Sequence, residues 1–139
     1  MKVKFTVPGP PQGKGRPRFL KTGQPYTPEK TKQYEKKIAA CYKQQCGRAF
    51  FDRGIPIDLR ITAYFPIAKS DSKKTHRLKI EHVIRPTSRP DTDNVYKVVA
   101  DACNKLAYYD DSQIVDSQIR KFYSEEPRLV VTIQEADIR

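Results

Sequence analysis

Ile57, Leu59, Ile61, Ala63 and Phe65 alternate with other residues along nine positions. Successive side chains of a strand face opposite ways, so this stretch asks for a sheet with one face buried under a second layer. Val3, Phe5 and Val7 repeat that period between Lys2, Lys4 and Thr6, and Pro8-Gly9-Pro10-Pro11 ends the run. The covering layer is predicted to be helical. Thr27-Pro28-Glu29 supplies a hydroxyl at the N-cap, proline at the first position and an acid in the first turn. A helix from there to about Cys46 would bury Tyr34, Ile38, Tyr42 and either Ala39 or Cys41, and would show Lys30, Lys32, Lys36 and Lys37 to solvent. Residues 70–82 read as a basic helix with a thin apolar stripe of Leu78, Ile80 and Val83. Val95, Val98, Val99, Ala102 and Leu106 fit the buried face of another helix. Ile114 to Tyr123 and Leu129 to Ile133 read as an antiparallel hairpin that turns at Ser124-Glu125-Glu126-Pro127. This order predicts an α+β fold, a single mixed sheet of about four strands with helices packed mainly on one face. One domain, residues 1–139, accommodates it.

The formal net charge is +11, from 27 Lys and Arg against 16 Asp and Glu. Such a balance calls for a polyanionic partner, and nucleic acid is the first candidate. A membrane is not expected, because no apolar run approaches the length of a spanning helix. The amino terminus lacks the apolar core of a signal peptide, which predicts a cytoplasmic protein. Cys41, Cys46 and Cys103 form no CxxC, and His76 and His82 are the only soft partners, so neither structural zinc nor a cysteine nucleophile is expected. The segment Gln12-Gly13-Lys14-Gly15-Arg16-Pro17-Arg18 alternates cations with other residues and suits phosphate contact through Lys14, Arg16 and Arg18. It is no nucleotide P-loop, since Gly15 follows Lys14 where a hydroxyl is needed, and no nucleotide cofactor is expected.

Against this basic background Asp91, Asp93, Asp110 and Asp111 gather with Lys97 within twenty-two residues, from Pro90 to Asp111. Asp91 and Asp93 fall at the start of the helix that begins near Val95, and Asp93, Lys97 and Asp101 follow one another at intervals of four on one face. Carboxylates at a helix start also serve as caps, and a DD pair also serves as a turn. If the chain doubles back after the helix, Asp111 meets Asp91 and Asp93. Three carboxylates with open positions suit Mg²⁺ or Mn²⁺. A calcium loop is excluded by Val95 and Tyr96, which stand where an oxygen ligand and a glycine belong. The cationic approach from Arg85 to Arg89, with Lys73 and Lys74 before it, leads into these acids.

PDTDN-V-Y-K followed by A-Y-Y-D-D-S-Q-I-V-D resembles the RusA family of Holliday junction resolvases of prophages and phages. FTVPGPPQGKGRPRF and PYTPEKTKQYEKKIA are similar to that family's opening strand, basic loop and first helix, so the resemblance spans nearly the whole chain. It implies metal ligation by Asp91, Asp93 and Asp111, with Asp110 as a substitute, and an essential role for Lys97. It further implies a Mg²⁺-dependent homodimer that binds a four-way DNA junction and nicks two opposing strands. Asn104-Lys105-Leu106 departs from the family by lacking a glycine before the DD pair. The alternative is a non-catalytic nucleic-acid-binding or regulatory protein whose acids only cap helices and close turns.

Overall fold

In the computed structural model, which describes residues 1–137, the chain runs through β1 (Lys2–Pro8), the short strands β2 (Arg18–Phe19) and β3 (Pro25–Tyr26), and α1 (Glu29–Cys46). It continues through β4 (Ile57–Pro66), α2 (Lys73–Ile80), α3 (Thr92–Cys103), a single 3-10 turn at Asp111–Gln113, β5 (Ile114–Ser124) and β6 (Arg128–Glu135). The result is an α+β fold around a mixed four-stranded sheet in the order β1-β6-β4-β5. β2 and β3 form a separate two-stranded hairpin.

Register shows why the alternating residues alternate. Val3, Phe5 and Val7 stand opposite Ile133, Val131 and Leu129, and these stand opposite Leu59, Ile61 and Ala63 of β4. All of them share one face, and all but Val3 are buried. α1 and α3 cover that face with Tyr34, Ile38, Tyr42, Val95, Val98, Val99 and Cys103. Fully burying each aliphatic side chain of this layer contributes about 1.5–3 kcal/mol. α2 buries no residue of its own and packs against β5. The second sheet face is more polar. There Asp58 is buried, but its Oδ2 accepts from Arg60 (3.2 Å to Nη2) and from Gln134 (3.3 Å).

The predicted hairpin of the last two strands does not form. β5 pairs in parallel with β4 and β6 pairs antiparallel with β4, so β4 lies between them. The short link therefore carries the chain past Pro66 at the end of β4. Arg128 secures it, its Nη1 donating to the Glu126 carbonyl (2.8 Å) and its guanidinium lying 4.0 Å over the Tyr64 ring. The physical reason is that β4 has a buried side-chain face over most of its length, and flanking strands satisfy the backbone on both its edges. β5 becomes an edge strand instead, and Asp116, Ser117 and Gln118 are exposed there. A smaller shift occurs at α1, whose N-cap is Pro28 without a side-chain hydrogen bond, one residue beyond the expected Thr27.

This arrangement predicts a sharp contrast between two aliphatic truncations. Leu59→Ala, at a site with no exposure on the central strand, should destabilise by about 2–5 kcal/mol. Val115→Ala, on the edge strand and 61% exposed, should stay within about 0.5 kcal/mol of the parent. Urea unfolding of both variants checks the pair, and equal losses would contradict the strand order.

Candidate active site

Because β4 and β5 are parallel, the chain between them must cross back along the sheet, and α3 makes that return. The start of α3 is thereby set near the carboxyl end of β5. Lys121 of β5 fixes it, donating from Nζ to the carbonyls of Ser88 (2.7 Å) and Pro90 (2.8 Å). Burial lowers the Lys121 pKa, while the neighbouring Asp91 charge works in the opposite direction. The held segment ends in the cis Arg89–Pro90 peptide, and Asp91 follows as the N-cap residue of α3.

Asp91 has the extended backbone of an N-cap, at φ −67° and ψ 154°, yet among the described residues its side chain makes no capping hydrogen bond. Asp93 lies in the first turn and is exposed, like Asp91. Its Oδ2 is 3.3 Å from Lys97 Nζ, one turn along the helix. The hard oxygen donors of both carboxylates face solvent, a set that suits Mg²⁺ or Mn²⁺ with retained waters and phosphate oxygens.

The DD pair follows α3 in the chain. Asp111 raises the pKa of the Tyr96 and Tyr108 phenols, in each case as a smaller contribution than burial. Among the described residues, no group of three or more His, Cys, Asp or Glu is arranged to hold a metal ion. The start of α3 brings Asp91, Asp93 and Lys97 together. Asp110 has another occupation: its Oδ2 accepts from Ser112 N (3.1 Å), and Gln113 returns a bond to Asp110 N (2.9 Å) as a capping box. Those hydrogen bonds hold the Asp110 carboxyl below its usual pKa.

The glycine loop lies against the start of α3. A Cβ on Gly13 would come within 2.6 Å of Pro90 Cβ and 3.0 Å of Asn94 Cβ, so only glycine permits this approach. Lys14 N donates to the Asn94 carbonyl (2.9 Å), and Gly15 N donates to Thr31 Oγ1 (3.1 Å) on α1. Lys14 is turned inward, with Nζ 3.1 Å from Glu35 Oε2 and 3.0 Å from Asp101 Oδ2. Burial alone would lower its pKa, but hydrogen bonds to Asp101 and Glu35 outweigh that and raise it. The ammonium expected on phosphate therefore ties the loop to α1 and α3. Asp101 was visible as the third member of the Asp93–Lys97 line. Glu35 and Lys121 carried no such sign, because only the folded chain brings them here.

Arg16, Arg18, Lys73, Lys74 and Arg89 are exposed cations. Arg85 donates from Nε to the Lys121 carbonyl (3.0 Å), and its guanidinium lies 4.2 Å over the Phe122 ring. Of the free thiols Cys41 and Cys46 are half-buried and Cys103 is buried, which pushes the Cys103 pKa up to about 12 and leaves it unreactive. Among the described residues no helix is long and apolar enough to cross a membrane.

The family model described as endodeoxyribonuclease RusA matches residues 8–134. The protein YqaN of Bacillus subtilis (strain 168) is 39% identical over 136 residues, covering 96% of this chain and 96% of its own. The crossover junction endodeoxyribonuclease rusA of Lactococcus phage r1t is 36% identical over 86 residues, covering 61% of this chain and 59% of its own.

The Lys14 clamp predicts a pH-dependent stability difference. Lys14→Ala leaves Glu35 and Asp101 facing each other without their cation and should cost about 1–3 kcal/mol. A raised lysine pKa contributes stability that is complete below the unfolded value, 10.5, and is lost as pH climbs through the folded value above it. Denaturant unfolding of parent and variant should therefore give a constant difference from neutral pH up to that range and a shrinking one beyond it. No difference at neutral pH would mean that the clamp contributes nothing.

Proposed function

The chain belongs to the RusA family of endodeoxyribonucleases, hydrolases of DNA phosphodiester bonds, and from that membership we propose that it resolves four-way DNA junctions. In this reading a homodimer binds the junction and nicks two opposing strands, in cytoplasmic DNA recombination and repair, with Mg²⁺ as cofactor and Mn²⁺ as a substitute. The observation that carries it is the Asp91 carboxylate, which occupies a capping position without capping, beside Asp93 and Lys97. A capping role would have engaged that carboxylate, as it engages Asp110. The name of the phage relative, crossover junction endodeoxyribonuclease, supports the choice of junction as substrate.

Asp91 and Asp93 would hold the divalent ion, which when bound supplies Lewis acidity toward phosphate and an acidified water. Asp93 keeps Lys97 on the same helix face, where the ammonium meets the negative charge that builds on phosphorus during substitution. Lys121 holds the carbonyls before Asp91 and so positions the acid pair. Arg16, Arg18, Lys73, Lys74, Arg85 and Arg89 provide phosphate contacts that orient the arms without reading sequence. Asp111 is the proposed third carboxylate, favoured over Asp110 because Asp110 is committed to its turn.

Asp91→Asn and Asp93→Asn should each reduce nicking of a four-way junction on the order of a hundredfold or more, while gel-shift affinity is kept or tightened. Each change removes an oxygen donor and a negative charge that faces phosphate. Chelation by EDTA should stop nicking by the parent and leave binding intact. A parent that binds junctions but never cuts them in Mg²⁺ would point to the non-catalytic reading.

Single-turnover rates for the DD pair form a separate test. Asp111→Asn should fall by about a hundredfold or more, and Asp110→Asn by much less. A normal rate for Asp111→Asn beside an inactive Asp110→Asn would reverse the assignment.

A further inference from the structure

Every residue from Arg16 to Tyr26 is exposed, so the β2–β3 hairpin stands off the body of the protein. It nevertheless carries Phe19 at 68% exposure and Leu20 at 51%, and Phe19 is the most exposed large apolar side chain among the described residues. Solvated loops seldom present such a pair without a partner for it. The ladder places Phe19 opposite Pro25 and Arg18 opposite Tyr26, and directly opposed residues share a face. Each face of the hairpin therefore shows a flat apolar ring. Leu20 N to Gln24 O (2.9 Å) and Gly23 N to Leu20 O (2.8 Å) close the tip.

Charge identifies the partner. Arg16, Arg18 and Lys21 lie among these rings, and no acid occurs between Arg16 and Tyr26. Flat apolar groups interleaved with cations match a polyanion that also offers flat apolar surfaces, which is a nucleic acid with unstacked bases. Intact duplex keeps its bases stacked, whereas a branch point offers steps that an apolar side chain can enter. The root of the hairpin adds position. Through Gly13 and Lys14 it is fixed to the start of α3, where Asp91 and Asp93 lie.

We propose that the β2–β3 hairpin is a wedge that inserts Phe19 and Leu20 between bases at the branch point, beside the strand presented to Asp91 and Asp93. This rests on the junction-resolving reading above and assigns it a structure-selecting element. Phosphate contacts from Arg16 and Arg18 orient the arms, and the apolar pair distinguishes a branch from a continuous duplex.

The test compares the parent, Phe19→Ala/Leu20→Ala and Phe19→Trp on a four-way junction carrying 2-aminopurine at the branch, and on a linear duplex of the same length, in EDTA so that nothing is cut. The parent should brighten the 2-aminopurine as its stacking neighbour is displaced. The double alanine variant should lose that brightening and about tenfold or more in junction affinity. Its duplex affinity and salt dependence should match the parent's, since every cation is kept, and Phe19→Trp should behave like the parent. Unchanged junction affinity and emission in the double variant would overturn the wedge, as would an equal loss on duplex and junction. A parent dimer that becomes monomeric on the double substitution would also overturn it, by making the pair a contact between copies. A parent with no preference for junction over duplex would instead overturn the junction-resolving reading, and the wedge with it.

Discussion

The parallel pairing of β4 with β5 is the constraint from which the rest of the architecture follows. Parallel neighbours cannot be joined by a tight turn, so the chain must leave the carboxyl end of β4 and return along the sheet before β5 begins. α3 is that return. Its amino end is left beside the carboxyl end of the strands, the place where open α/β arrangements collect their ligands. Asp91 and Asp93 precede the returning helix and Asp111 follows it. A hairpin between β5 and β6 would have freed one edge of β4 and removed the need for this order.

Around that frame the basic chain concentrates attraction where it has placed its acids. Lys121 draws in the carbonyls before Asp91, Lys97 pairs with Asp93, and Lys14 joins Glu35 to Asp101. The last of these is a part-buried arrangement of two carboxylates and one ammonium, and removing the cation leaves both carboxylates without their shared partner. It holds the glycine loop by its side chain, while Gly13 and Gly15 hold it by close backbone approach to Pro90, Asn94 and Thr31. The loop is thus a joint between α1 and α3 from which the β2–β3 hairpin projects. Exposed cations remain on its outer side, at Arg16 and Arg18, and the inner cation serves the fold.

Cations stacked on aromatic rings complete the edge of the sheet. Arg85 and Arg120 lie over Phe122, Arg128 over Tyr64 and Lys79 over Tyr123. These cations cover apolar ring surface. A chain with +11 net charge can therefore cover its second sheet face without a second layer of helices. The rings also hold several cations in one orientation, which suits a surface that meets phosphate.

Local patterns determined the elements themselves. Strand period in Val3–Val7 and Ile57–Phe65, and helix period from Tyr34 to Tyr42 and from Val95 onward, are written within a few neighbouring residues. Each expresses which side chains must leave water together. The grouping of Asp91, Asp93 and Lys97 was legible for the same reason, since one turn of helix holds it. Tertiary structure decided what depends on distant parts of the chain. β4 entered between β5 and β6 because its edges needed partners on both sides. Lys14 turned inward because folding brought it to Glu35 and Asp101, twenty-one and eighty-seven residues away. The carbonyl before Asp91 met Lys121 because β5 returned parallel to β4, and no spacing in the sequence states how far a chain travels before it turns.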